Sequence, residues 1–214
     1  MTTPPLKERV RNPFCTRSIR PGRIPPLDGS GRPLDVTALL AAFEALHGSA
    51  ALVGPHGSGK TTLLWHLAAA LAARGHRVER VRLSDGRGLV RLAAAVLRGV
   101  GGGIVCVDSW ERLGRPWADL VRWFARAGGT RLMVTAHRPG RLPTLWICRT
   151  SPSLLASIVA GLPNGGALLS PEHEQQIAEV FRLSAGDIRE SLFALYDRFE
   201  ERARVARLIE SANA

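Results

Sequence analysis

Residues 54–61 read Gly54-Pro55-His56-Gly57-Ser58-Gly59-Lys60-Thr61 and fill every fixed position of the pattern G-x-x-x-x-G-K-[ST]. Three glycines let the backbone turn so that its N–H groups point inward at a phosphate. Lys60 adds a point charge that reaches the outer phosphates, and Thr61 offers a hydroxyl to Mg²⁺. A short apolar run, Ala50–Val53, precedes the loop, and a good helix former follows it from Thr62 to about Ala73. Strand, loop, helix is the context that gives such a loop its meaning, because the helix N-terminus adds its own attraction for anions. The residues expected to hold the phosphates are those eight together with Thr62.

The same logic extends along the chain. A first helix is predicted from Val36 to about Leu46, with Leu39, Leu40, Phe43 and Leu46 on one face. Five strands are predicted: Ala50–Val53, Arg77–Leu83, Gly103–Val107, Arg131–Thr135 and Thr144–Cys148. The first, third and fourth are continuous apolar runs of the kind buried in parallel sheets. Helices are predicted between them at Leu63–Ala73, Leu89–Leu97 and Trp117–Ala127. Strands alternating with helices mean βαβ units, so the fold class is α/β with a mostly parallel, doubly wound sheet. The gap between the fourth and fifth strands is too short for a helical crossover. Trp65, Trp123 and Trp146 fall on predicted elements and are expected in the core, and Trp110 is expected to cover the site.

The stretch 1–33 is broken by Pro4, Pro5, Pro13, Pro21, Pro25, Pro26 and Pro33 and has no helical or strand period. It reads as an extended arm lying on a domain. Residues 34–150 read as the α/β core. After Arg149 the character is helical only, with helices expected at Ser153–Leu162, Pro171–Leu183 and Asp187–Arg207, so residues 151–214 read as a C-terminal helical lid. Asn164, Gly165 and Gly166 punctuate the lid, and Ser170-Pro171-Glu172 marks a helix start.

The formal net charge is +11, carried almost wholly by arginine, since Lys7 and Lys60 are the only lysines. That balance admits an anionic partner such as nucleic acid. The bland reading is compositional, since Arg, Ala, Gly and Leu are all plentiful and the arginines are dispersed. In a chain that otherwise uses arginine, Lys60 marks a place where a compact point charge is needed. Cys15, Cys106 and Cys148 have no zinc spacing, and the last two lie in apolar runs as small core residues. No apolar run is long enough to span a bilayer and the first residues lack a secretion-signal order, so the expected location is cytoplasmic.

Three further positions complete the reading. Gly103-Ile-Val-Cys-Val-Asp108 ends an apolar strand in an acid, which would hold Mg²⁺ opposite Thr61 or, alternatively, cap a helix. Val134-Thr135-Ala136-His137 ends the fourth strand in polar residues. Ser184-Ala185-Gly186-Asp187-Ile188-Arg189 opens the last helix.

With these residues, the chain resembles the P-loop NTPases of the additional-strand class, in particular AAA+ and NACHT-like signalling ATPases. The resemblance identifies Gly54–Thr61 as a Walker A motif and Asp108 as the Walker B acid, and it implies binding of ATP and Mg²⁺. Many of these enzymes place a water-activating glutamate directly after the aspartate. Here Ser109 and Trp110 intervene, and Glu111, three positions on, is the candidate base, as in the NACHT-like variant. Thr135 resembles sensor 1 and Arg189 the sensor 2 arginine, both of which contact or report the γ-phosphate. The stretch Asn12-Pro13-Phe14 with Pro21-Gly22 resembles the leader that packs beside the adenine in many AAA-type ATPases. Arg138 and Arg141 are arginine-finger candidates by location.

The implied function is ATP binding with Mg²⁺-dependent hydrolysis, slow or stimulated by a partner, in a nucleotide-driven switch or motor subunit. An unidentified protein partner and homo-oligomerisation stand beside it. Two alternatives remain open at the level of sequence. Asp85, after the second strand, keeps alive a small-molecule kinase. A nucleotide-gated interaction module that does not hydrolyse, associated with nucleic acid, is the other.

Overall fold

A computed structural model describes residues 12–15, 17, 19, 22–47, 49–84, 87–163 and 171–212. Asp85, Asn164, Gly165, Gly166, Ser170, Pro4, Pro5 and Pro21, all read above, lie outside the described residues.

Five strands form one sheet: β1 (Ser49–Val53), β2 (Val78–Arg82), β3 (Ile104–Asp108), β4 (Arg131–Ala136) and β5 (Thr144–Ile147). Their order is β2-β3-β4-β1-β5, and every pairing is parallel. Strand β4 therefore lies between the strand that leads into the loop and the strand that ends in Asp108. Side chains alternate between faces with a period of two. Ala50, Leu52, Ile104, Cys106 and Met133 meet helices α1 (Val36–Ala45) and α2 (Lys60–Ala73) on one face. Ala51, Val53, Val105, Val107, Leu132 and Val134 meet α3 (Gly88–Arg98) and α4 (Arg115–Ala127) on the other. Cover on both faces is why the central strands read as unbroken apolar runs rather than as alternation.

The short link from β4 to β5 is explained by the register. Strand β5 begins level with Ala51, midway along β1, so the chain need descend only part of the sheet. Residues 137–143 cross β1 without a helix, and the buried Leu142 seats them on the α3–α4 face. Two strand spacings are about 10 Å, well within the reach of seven extended residues, about 24 Å.

Cys106 and Cys148 are buried, as expected of small core residues. Burial raises their thiols to about 12 and about 11. The expectation for Trp123 fails, since this side chain is 63% exposed. On α4 the core face is carried by Val121 and Ala125, and a residue two positions from each points the other way round the helix. Trp123 instead stacks edge-to-face with Phe124, itself exposed. Trp65, Trp110 and Trp146 are partly buried against the two sheet-facing clusters.

Helices α5 (Pro152–Ala160), α6 (Pro171–Leu183) and α7 (Ile188–Ala212) build a third apolar cluster. Segment 12–33 belongs to it through the buried Phe14 and the partly buried Ile19, Ile24 and Leu27. Asn12 Nδ2 donates to Tyr196 O at 3.2 Å and Glu200 Oε1 at 2.8 Å on α7. His66 on α2 hydrogen-bonds Ile24 O through its ring Nε2 at 2.9 Å. Asn12 and Ile24 thus tie the described part of this segment to α7 and α2 respectively. Among the described residues, no helix is long and apolar enough to cross a membrane.

Candidate functional site

The site lies at the carboxyl ends of β1, β3 and β4. Gly54 follows β1 in a narrow place, where a Cβ would overlap Cys148 O and come within 2.7 Å of Ser58 Oγ. Gly57 and Gly59 take left-handed backbone angles, φ +65° and +81°, which cost a residue with a side chain strain and glycine little. Gly59 is the residue before α2 and has no side chain to cap it. The sequence places the start of this helix near Thr62, whereas it starts two residues earlier, at Lys60, because the left-handed turn at Gly59 already completes the loop. Lys60, Thr61 and Thr62 therefore all lie in the first turn, where the helix dipole favours anions.

Inside the loop, Ser58 Oγ donates to Pro55 O at 2.8 Å. Lys60 Nζ donates to Gly54 O at 2.8 Å and to Pro55 O at 2.5 Å. Lys60 is only 8% exposed. Burial pushes its ammonium below the ordinary lysine value, while Cys148, Glu111, Asp108 and Asp187 act in the opposite sense.

Asp108 is buried at the end of β3. Its Oδ1 accepts from Thr61 Oγ1 at 3.0 Å and from Thr135 Oγ1 at 2.9 Å. Its Oδ2 accepts from Arg82 Nε at 3.0 Å. The helix-capping alternative for Asp108 finds no counterpart here, since its bonds go to these side chains. Thr135, 1% exposed, donates to Asp108 and accepts from Ser109 N at 2.8 Å. Its hydroxyl thus fixes the carboxylate rather than presenting a free group.

After Asp108 the chain turns sharply. Ser109 takes φ 67°, an uncommon angle for a residue with a side chain, and leads into a 3-10 turn, Trp110–Leu113, that carries Glu111. Glu111 Oε1 lies 3.2 Å from His137 Nε2, just beyond β4. The His137 ring packs in turn against His56 of the loop, 4.0 Å between centroids. The structure therefore brings Lys60, Thr61, Asp108, Glu111 and Thr135 together.

Among the described residues the Arg189 side chain makes no contact with the loop, although its backbone N–H donates to Asp187 Oδ1 at 2.8 Å. The residue is exposed, and its guanidinium lies over the Phe193 ring, 5.6 Å from the centroid. What α7 presents to the loop is Asp187, whose carboxylate occupies the place a Cβ on Gly57 would need. Of the two arginine-finger candidates, Arg138 is exposed, and Arg141 pairs with Asp119 at 3.2 Å.

Sequence reasoning missed Arg82 and the loop contact of Asp187. Arg82 sits directly across from Asp108 in the β2–β3 register, and register between distant strands leaves no local mark in a sequence. For Asp187 a signal existed, because it precedes the first residue of a helix and is a good cap.

His137 is held below the ordinary histidine value. Burial is the main cause, Glu111 opposes it, and Lys60 and His56 add to it. Below about pH 6.5 the unfolded chain takes up a proton that the folded chain refuses. The stability from neutral His137 is therefore in place above that pH and is lost as pH falls through the lower folded-state value. His137→Asn should flatten this part of a curve of Tm against pH.

The donor set can be tested against Mg²⁺ directly. A hydroxyl and a carboxylate are hard oxygen donors of the kind Mg²⁺ takes, usually with water and phosphate oxygens completing the shell. Among the described residues no group of three or more His, Cys, Asp or Glu could hold a metal by itself. The hydroxyl and carboxylate present fit Mg²⁺.

No protein-family model matches the chain, and no curated protein matches it. Among solved structures it is similar to that of C. elegans PCH-2, with a TM-score of 0.45 and 12% identity, covering 79% of this chain and 68% of that one.

Proposed function

We propose that the chain binds ATP with Mg²⁺ at residues 54–62 and hydrolyses it slowly or on stimulation by a partner, as a nucleotide-driven switch or motor subunit. The observation that carries this reading is the Thr61–Asp108 hydrogen bond, which joins the glycine loop to the end of β3 across 47 residues of sequence. It sets a hydroxyl and a carboxylate side by side, next to a buried lysine. The position of β4 between β1 and β3 supports the additional-strand reading.

In this proposal the loop N–H groups and the first turn of α2 bind the phosphates, and Lys60 turns its ammonium from the loop carbonyls to them. Thr61 and Asp108 hold Mg²⁺. When bound, that ion offsets charge on the phosphate oxygens. Thr135 and Arg82 keep the Asp108 carboxylate in place. Glu111, steadied by His137, orients the attacking water and takes its proton. Preorganised donors of this kind act through position and charge rather than through covalent chemistry. The γ-phosphate-sensing role expected of Arg189 gains no support from its place over Phe193.

Glu111→Gln tests the catalytic half of the proposal. Loss of a positioned base costs about 10²–10⁴-fold in rate, so phosphate release should fall by at least about a hundredfold while ATP affinity holds. Turnover at the wild-type rate would remove Glu111 from the mechanism.

A further inference from the structure

We propose that Asp187 sets the affinity of the phosphate loop for anions and couples that loop to helix α7: its carboxylate lies against Gly57 in the loop and caps α7 at the same time. This rests on the reading of residues 54–61 as a phosphate loop. Among the described residues three acids act on Lys60, and two are already engaged. Asp108 is held by Arg82 and two hydroxyls, and Glu111 by His137. The Oδ1 of Asp187 is bonded instead to the N–H groups of its own helix, Arg189 N at 2.8 Å and Glu190 N at 3.1 Å.

That same oxygen occupies the place a Cβ on Gly57 would need. A phosphate chain entering the loop meets a like charge there. The carboxylate cannot withdraw alone without giving up the cap, because the oxygen against Gly57 is also the capping oxygen. The first turn of α7 therefore moves with it. Helix α7 shares its apolar cluster with α5, α6 and segment 12–33, so the displacement passes to that whole unit. Phosphate charge in the loop is thereby converted into a shift of the helical segment.

Asn caps a helix as well as Asp does, so Asp187→Asn removes the charge and keeps the fold. Titration calorimetry without Mg²⁺ would compare wild type and variant, using inorganic tripolyphosphate and ADP as probes. A like charge at this range is worth about tenfold or more, so the variant should bind both probes about tenfold tighter. The difference should shrink at high salt. Asp187→Ser, also a capping residue, should act in the same direction. In wild type, the distance between spin labels at Leu97→Cys and Leu208→Cys should change when tripolyphosphate is added, and in Asp187→Asn it should change less. Unchanged or weaker binding by both variants overturns the proposal, as does an equal change in label distance in wild type and Asp187→Asn. Wild-type protein that binds neither probe overturns the phosphate-loop reading itself.

Discussion

Lys60→Ala should weaken binding of Mg²⁺–ATP by about a hundredfold, close to 2.7 kcal/mol, with little change in thermal stability. The two halves of that expectation have different causes. A charge-assisted hydrogen bond to an anion is among the stronger polar contacts, about 1.5–3 kcal/mol, and a compact ammonium is well suited to phosphate. The folding effect nearly cancels. Truncation strips Gly54 O and Pro55 O of their donor, which costs about 1–3 kcal/mol when such groups stay dry. It also removes a buried cation whose charged form is already disfavoured by desolvation, and it opens the carbonyls to water. Calorimetry with ATP, paired with a thermal melt, reads both quantities. Lys60→Arg should also bind poorly, because a planar fork does not replace a point charge. Wild-type affinity in Lys60→Ala would falsify the central claim.

Asp108→Asn should abolish most of the Mg²⁺ dependence of ATP binding. In wild type, affinity should be much higher with Mg²⁺ than with a chelator. In the variant that ratio should fall toward one, because the amide lacks the charge that holds the ion. The substitution also has a structural cost. Its oxygen can still accept from Thr61 and Thr135, but its NH₂ must then face Arg82, donor against donor. Arg82 is half exposed and can turn to water, so the loss should be about 1–2 kcal/mol. For a chain of this size that lowers Tm by about 2–8 °C. A purely structural Asp108 would give the fall in Tm with the Mg²⁺ ratio intact, and that outcome would end the metal assignment.

Much of the core was legible because burial on both faces writes itself into local composition. Gly103–Val107 and Arg131–Thr135 read as buried strands, and Ile104–Asp108 and Arg131–Ala136 are strands in the structure. Helix ends were less legible. The start of α2 depends on the backbone angle of Gly59, and α7 runs to Ala212, beyond the expected Arg207. Trp123 was misread because a large apolar side chain on a predicted helix suggests core, while only the angular position on α4 decides which side it faces. Thr135 was read as a sensor of the γ-phosphate or the attacking water, and the bond its hydroxyl makes to Asp108 left no mark in the sequence.

From the sequence alone came the loop at Gly54–Thr61, the alternation that makes an α/β sheet, and the acid that ends the third strand. Each is local, because a glycine turn, an apolar run or a strand-end carboxylate is specified by neighbours in the chain. Only the tertiary structure decided that β4 lies between β1 and β3, that Arg82 faces Asp108, that His56 and His137 pack beside Glu111, and that Asp187 touches the loop while the Arg189 guanidinium lies over Phe193. Those facts depend on strand order, register and helix docking. These are set by the packing of the whole core, a sum over many weak contacts between residues far apart in the chain.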